Sequence, residues 1–85
     1  MDPTAQVREF VIENFLYGES ERFKDDTPFL EGGIIDSTGV LELVAFLEQT
    51  FGITVDDDEL VPDNFGDLRS VGRYLSGKLN GKSPE

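Results

Sequence analysis

Residues 32–52 read GGIIDSTGVLELVAFLEQTFG and predict a loop that runs directly into an amphipathic helix. From residue 37 onward the large apolar side chains recur three or four positions apart, as a helix with one buried face requires. Asp36 and Ser37 carry oxygens that can cap the free amides of a first helical turn, and Gly52 is a typical stop. We therefore predict a helix over 37–51 whose core-facing side chains are Val40, Leu43, Val44, Leu47 and Phe51.

Two further main helices are predicted on either side of this one. Residues 4–17 show a helical apolar period, with Asp2 and Pro3 as start signals and Gly18 as the stop. A last helix begins near Asp67, a good N-cap residue. Its predicted core-facing side chains are Leu68, Val71, Leu75 and Leu79.

The segments between these helices differ in length and content. Residues 19–36 have no sustained period and contain a proline and two glycines, which predicts a long loop. Its expected anchors on the core are Phe23, Phe29, Leu30, Ile34 and Ile35. Residues 53–65 have room for one or two short helical turns. The fold class is therefore all-α, a small four-helix bundle with three main helices, a short third helix and a long loop between helices 1 and 2.

Length and charge limit the function. A chain of 85 residues is one small domain, predicted over residues 1–79 with a flexible tail at 80–85. The net charge of −11 argues against binding to nucleic acid or to an anionic membrane surface. The chain has no His and no Cys, which excludes most hydrolase and metalloenzyme chemistry. No apolar run approaches the roughly 20 residues that cross a bilayer, so we expect a soluble, cytoplasmic protein.

Three possible sites fail on their spacing. Residues 72–78 resemble a phosphate-binding loop, but Leu79 stands where the Mg²⁺-binding hydroxyl belongs. The acidic run 56–59 lacks the alternating ligands and the glycine of a calcium loop. Paired carboxylates for acid/base catalysis need an environment that separates their pKa values, and the sequence gives no sign of one. We predict no metal site and no catalytic residue.

The loop 32–36, Ser37 and the acidic, apolar helix that ends in Phe-Gly together resemble the phosphopantetheine carrier proteins. This family contains the acyl carrier proteins and their peptidyl and D-alanyl relatives. The resemblance covers roughly residues 27–75 and is sharpest over 36–51. It implies that Ser37 is the attachment serine, that Asp36 is the acid of the attachment motif, and that the chain is a carrier rather than an enzyme.

The resemblance also implies a cofactor and partners. The cofactor is 4'-phosphopantetheine, bound covalently and derived from coenzyme A. The partners are a phosphopantetheinyl transferase and the acyl- or aminoacyl-loading and downstream biosynthetic enzymes. Two positions depart from the common fatty-acid pattern, because Thr38 replaces a Leu and Gly39 stands where an acid is frequent. We expect Gly39 to delete a partner-facing charge, which favours a specialised fatty-acid, polyketide or nonribosomal peptide pathway.

Charge and helix geometry predict a partner surface on the chain, which we expect to be a monomer. Between Asp25 and Leu68 there are twelve acids and no Lys or Arg, a field that steers basic partners. The second helix should present Thr38, Leu41, Glu42, Ala45 and Glu48 away from its core face. The alternative is that Leu41 packs under the long loop.

Two rival functions stay open from the sequence. A cofactor-free acidic adaptor would use the same helix face for a basic protein partner without gaining covalent mass. A carboxylate-based divalent-ion binder would bind Ca²⁺ with a saturable stoichiometry.

Overall fold

The computed structural model describes residues 2–18, 21 and 23–81. They form four α-helices, which are α1 (Pro3–Phe15), α2 (Ser37–Phe51), α3 (Pro62–Phe65) and α4 (Leu68–Gly81). A 3₁₀ turn at Asp57–Glu59 precedes α3, and no strand occurs in the part of the chain that the structure describes. This confirms the all-α prediction, with three main helices, a short third one and a long first loop.

The first helix begins where the sequence predicts and ends earlier. The Asp2 carboxylate accepts a hydrogen bond from the Thr4 amide at 2.9 Å, and Pro3 occupies the first helical position. The helix ends at Phe15, whereas the prediction placed the end at Tyr17. Tyr17 has a φ of 53°, in the left-handed region, and this backbone conformation cannot continue a right-handed helix.

The predicted signals at the other helix ends are confirmed. Gly52 caps α2 with a left-handed φ of 67°, and its N–H donates to the Glu48 carbonyl at 3.0 Å. The Asp67 carboxylate caps α4 by accepting from the Ser70 amide at 2.8 Å. α4 continues to Gly81, past the predicted boundary at residue 79. The predicted flexible tail otherwise falls on 82–85, outside the described residues, and stays a prediction.

The buried face of α2 differs from the predicted one. Of the five predicted core positions, Leu43 and Leu47 are buried, while Val40, Val44 and Phe51 are half-buried against the core. The α1 helix packs beside the predicted stripe, where Phe46 of α2 stacks on Phe10 of α1 with ring centroids 4.2 Å apart. The face is therefore rotated toward Gly39, which is also buried.

The first loop supplies four of the thirteen buried hydrophobic residues among those that the structure describes. The core consists of Val7, Val11, Phe23, Phe29, Ile34, Ile35, Leu43, Leu47, Ile53, Phe65, Leu68, Val71 and Leu75. Four of the five predicted loop anchors are in this set. The fifth prediction is wrong, because Leu30 is 58% exposed. The turn that buries Phe29 directs the side chain of its neighbour to the surface.

None of the helices in the described ranges is both long enough and apolar enough to cross a bilayer.

Candidate functional site

Asp36 caps the start of α2. Asp36 has an extended backbone at the N-cap position, and its Oδ1 accepts a hydrogen bond from the Gly39 amide at 2.7 Å. Ser37 is therefore the first helical residue rather than the cap, and it is exposed. Its hydroxyl has no hydrogen-bond partner among the described residues, so it is open to solvent.

The end of the first loop holds this turn in place. Ile34 and Ile35 are buried, and their amides both donate to the Phe29 carbonyl, at 2.9 and 3.0 Å. The Phe29 amide in turn donates to the Gly66 carbonyl at 2.8 Å. The two residues before Asp36 are thus fixed both to the core and to the segment between α3 and α4. An exposed serine is presented on a rigid support.

The geometry fits a phosphodiester on Ser37. The first turn of a helix has free amides and the positive end of the helix dipole, which together favour an anion. Asp36 takes the Gly39 amide, and the amides of Ser37 and Thr38 have no acceptor within the described chain. An anion bonded to the Ser37 oxygen would therefore lie beside two unused donors.

The predicted partner surface is exposed over most of its length. Thr38, Leu41, Glu42 and Ala45 all lie on the outside of α2. Leu41 is 59% exposed, so the alternative in which it packs under the loop is wrong. The two ion pairs in the described part of the chain lie elsewhere, and neither involves an acid of α2.

Glu48 has a contact that the sequence did not suggest. It is half-buried, and its Oε2 accepts a hydrogen bond from the Val55 amide at 3.0 Å. This bond ties the segment after α2 back to the helix. A partner contact by Glu48 stays a prediction, and such a contact would have to share this carboxylate.

Gly39 is buried in the first turn of α2. The expectation that it deletes a partner-facing charge is therefore wrong. A side chain at this position would point into the domain, toward Phe15 and Ile35.

An apolar groove of about 430 Å³ opens beside the candidate site. Its walls are the first loop on one side and the segment 60–67 on the other. The apolar side chains that line it are Pro28, Leu30, Val40, Leu60, Val61, Pro62 and Phe65. Val40 lies three residues after Ser37, which is close to one helical turn. Val40 therefore brings the groove to the first turn of α2, although Ser37 itself does not line it.

A second carboxylate, Glu59, fixes the far wall of this groove. Its Oε1 accepts from the Asp56 amide at 3.0 Å and from the Tyr74 hydroxyl at 2.9 Å, and it pairs with Lys78 Nζ at 3.1 Å. The Asp56 amide, the Tyr74 hydroxyl and Lys78, in that order, hold the pKa of Glu59 below its ordinary value. Burial, and then the neighbouring Glu59, raise the pKa of Tyr74 above its ordinary value. The hydroxyl is protonated at neutral pH in either case and donates to Glu59.

The Glu59 contacts predict a specific pH dependence of stability. A carboxylate with a lowered folded-state pKa stabilises the fold above its unfolded pKa, and this contribution is lost as pH falls through the folded value. We expect Glu59→Gln to lower the melting temperature at pH 7. The difference from wild type should narrow as pH falls below 4.5, the ordinary pKa of the group, and close below its lower folded-state pKa. Glu42→Gln removes the same charge from an exposed position and is the control. A gap between wild type and Glu59→Gln that persists at acid pH would contradict this account.

A family model described as a phosphopantetheine attachment site matches residues 6–75. The chain belongs to this family. The carrier carries acyl-type groups as thioesters on 4'-phosphopantetheine, the cofactor that defines the family. The matched range contains the exposed serine, the first loop and the walls of the groove.

Two named relatives of the carrier are themselves carrier proteins. A probable acyl carrier protein, PigG of Serratia sp., is 33% identical over 61 residues, which is 72% of this chain and 70% of the relative. The D-alanyl carrier protein of Streptococcus gordonii is 31% identical over 71 residues, covering 84% and 87% of the two chains.

Two solved structures share the fold of the carrier. An apo peptidyl carrier protein, KstB-PCP, matches with a TM-score of 0.72 and 35% identity over 91% of this chain and 86% of that one. A crystal structure described as an FAD-dependent dehydrogenase matches with a TM-score of 0.72 and 26% identity, covering 81% of this chain and 97% of the matched chain.

Proposed function

We propose that Ser37 is the residue that takes the phosphopantetheine arm, with Asp36 as the residue that builds its turn. The observation that carries this proposal is the exposed Ser37 hydroxyl at the first position of α2, beside two unused amides. The other serines in the described ranges support it by contrast. Ser70 is half-buried behind the Asp67 cap. Ser76 is exposed, but it lies in the second half of α4, away from the free amides of a helix start.

The attachment step needs no base from this chain. The Ser37 oxygen would form a new phosphoester bond to the pantetheine-bearing phosphorus of coenzyme A. The bond from that phosphorus to the nucleotide would break, the nucleoside bisphosphate would leave, and a base of the phosphopantetheinyl transferase would take the hydroxyl proton. We propose that the chain itself is not an enzyme, which is consistent with a sequence that has no His and no Cys.

We propose that the cargo is an aminoacyl group rather than a long fatty acyl chain. Two of the named relatives, a D-alanyl carrier protein and a peptidyl carrier protein, carry the names of amino-acid pathways. The loading partner would then be an amino-acid-activating enzyme, followed by enzymes that use the thioester. The groove that Val40 lines at the first turn of α2 would provide an apolar surface for the arm or a small cargo.

A flavin enzyme is a further partner that the comparisons support. The matched chain in the structure described as an FAD-dependent dehydrogenase is shorter than this one, since 81% of this chain covers 97% of it. A chain of that length is the size of one small domain, so the part of that structure that resembles this chain is a carrier-sized domain. We propose that a dehydrogenase of this class acts on the thioester cargo. The cargo would lose two hydrogen atoms, and the flavin would be reduced from FAD to FADH₂.

The outer face of α2 is exposed and acidic, which suits a single carrier that binds its partners one after another. We propose that the chain is a monomer and acts in the cytoplasm, where it would meet the transferase and the loading enzymes successively. Its partner surface would comprise Thr38, Leu41, Glu42 and Ala45, with Glu48 at the edge.

The proposal is tested by following the mass of the chain through successive steps. Treatment with a broad-specificity transferase and coenzyme A should add one phosphopantetheine. Treatment with an aminoacyl-coenzyme A instead should add the loaded arm. Hydroxylamine should then cleave its thioester, release the aminoacyl part as a hydroxamate and leave the free thiol of the arm. An FAD-dependent dehydrogenase should then remove the mass of two hydrogens from a suitable aminoacyl cargo. Ser37→Ala is the control and should gain nothing.

Other outcomes identify the rivals. A chain that gains no mass but binds a basic protein would be the cofactor-free adaptor, and saturable one-to-one Ca²⁺ binding without mass gain would favour the ion binder.

A further inference from the structure

Gly39 is the one position in the first turn of α2 that faces the interior. Its neighbours Asp36, Ser37 and Thr38 are exposed, whereas Gly39 is buried. A Cβ atom at this position would lie 2.5 Å from Ile35 Cγ2 and 2.8 Å from the ring carbon Cε1 of Phe15. Carbon atoms in normal contact are about 3.5–4.0 Å apart. No side chain fits here unless the loop end or α1 moves.

The Phe15 ring, which occupies the space beside Gly39, packs against a second aromatic ring of α1. Phe15 packs edge-on against Phe10, with centroids 5.8 Å apart and an interplanar angle of 74°. Phe10 stacks on Phe46, which lies seven residues after Gly39 on the same side of α2. The end of α1 is thus pressed onto α2 at two places, and the glycine makes the contact nearest to Ser37 possible.

The same glycine is part of the cap. Its amide donates to Asp36 Oδ1 at 2.7 Å, and a Cβ at position 39 would lie 3.2 Å from that oxygen. Crowding here would therefore act on both residues that precede Ser37, through the buried side chain of Ile35 and the carboxylate of Asp36. Gly39 therefore takes part both in the packing against Phe15 and in the Asp36 cap.

We infer that Gly39 and Phe15 are positioning residues for the attachment serine. Gly39 lets the end of α1 close on the turn that presents the Ser37 hydroxyl, and this contact fixes the hydroxyl for transfer. Neither residue touches the reacting atoms. The inference rests on the proposed attachment at Ser37.

The first test is Gly39→Ala, measured as transfer kinetics at a temperature where circular dichroism shows the variant folded. Since a misplaced reacting group commonly costs up to about a hundredfold in rate, we expect kcat for phosphopantetheine transfer to fall roughly tenfold or more. The KM for the carrier should change little, because the outer face of α2 is unaltered. The matched control is Gly72→Ala in α4, where the added Cβ would lie 2.6 Å from the Thr4 hydroxyl oxygen. It should lower stability and leave kcat unchanged.

The second test does not depend on Gly39→Ala folding. Phe15→Leu removes the ring that packs against Gly39. Phe51→Leu removes a half-buried ring at the opposite end of α2, which packs on Phe46 with centroids 6.2 Å apart. We expect Phe15→Leu to lower kcat for transfer and Phe51→Leu to leave it at the wild-type value.

The outcomes separate this inference from the proposed function. If wild type is not modified, the attachment proposal itself fails. If wild type is modified and both Gly39→Ala and Phe15→Leu transfer at the wild-type kcat, the positioning role is wrong. It is also wrong if the controls Gly72→Ala and Phe51→Leu slow transfer as much, because the effect would then be a general loss of stability. If Gly39→Ala does not fold, the comparison of kcat between Phe15→Leu and Phe51→Leu tests the positioning role by itself.

Discussion

Phe29→Ala should destabilise the domain by about 3–5 kcal/mol, the usual cost of removing a buried aromatic side chain. Phe29 is completely buried and packs near Phe23, with ring centroids 6.1 Å apart. Its carbonyl accepts from the amides of Ile34 and Ile35, so the residue also organises the end of the first loop. A total stability of about 5–15 kcal/mol is typical of small domains. The substitution should therefore remove a large part of it.

Leu30→Ala is the matched control for this prediction. It shortens the adjacent side chain, which is 58% exposed, and surface changes usually stay within about 0.5 kcal/mol. Urea unfolding of both variants at 25 °C measures the difference. If Phe29→Ala and Leu30→Ala destabilise the chain equally, the loop is not part of the core as described.

Charge reversal at Glu42 should have the largest effect on partner encounter. Glu42 is exposed on α2 and has no ion pair among the described residues. Since steering by a charged surface raises association rates by roughly 10- to 1,000-fold, we expect Glu42→Lys to slow association with the transferase about tenfold at low salt. The salt dependence of the rate should flatten, because fewer favourable charge contacts remain to be screened.

Leu41→Ala should affect the dissociation of the partner rather than its association. The exposed Leu41 side chain offers apolar contact area rather than charge, so its loss should mainly raise the dissociation rate. Glu9→Lys, at an exposed position on α1, makes the same change in net charge and is the control. Stopped-flow binding at low and high salt would measure these rates. If Glu42→Lys and Glu9→Lys behave alike, the partner surface is not on α2.

The sequence predicted the features that depend on local chemistry. The bounds of α2 follow from the Asp36 cap, the apolar period and Gly52, all of which act within a few residues. The fold class and the exposed position of Ser37 follow from the same pattern. The end of α1 was missed because Tyr17 adopts a left-handed conformation that its residue type does not favour.

Other features depend on packing between segments, and no local pattern reports them. Phe46 lies off the apolar stripe of α2, and it is drawn into contact by Phe10 on a different helix. The exposure of Leu30 depends on how the loop turns after Phe29. The bond between Tyr74 and Glu59 joins residues 15 positions apart, which no helical period can predict.

Gly39 was misread for a related reason. In the sequence it appears as a missing surface charge, because neighbouring positions of α2 face solvent. Its burial follows from the approach of Phe15, a residue of another helix. A glycine near the start of an apolar helix could have suggested a close contact between segments.

The most direct test of the central claim is peptide mapping by tandem mass spectrometry, after wild type has been treated with a broad-specificity transferase and coenzyme A. The account predicts one phosphopantetheine per chain, located on the peptide that contains Ser37, with the fragment ions assigning the added mass to that residue. An unmodified chain, or added mass on any other serine, would contradict it.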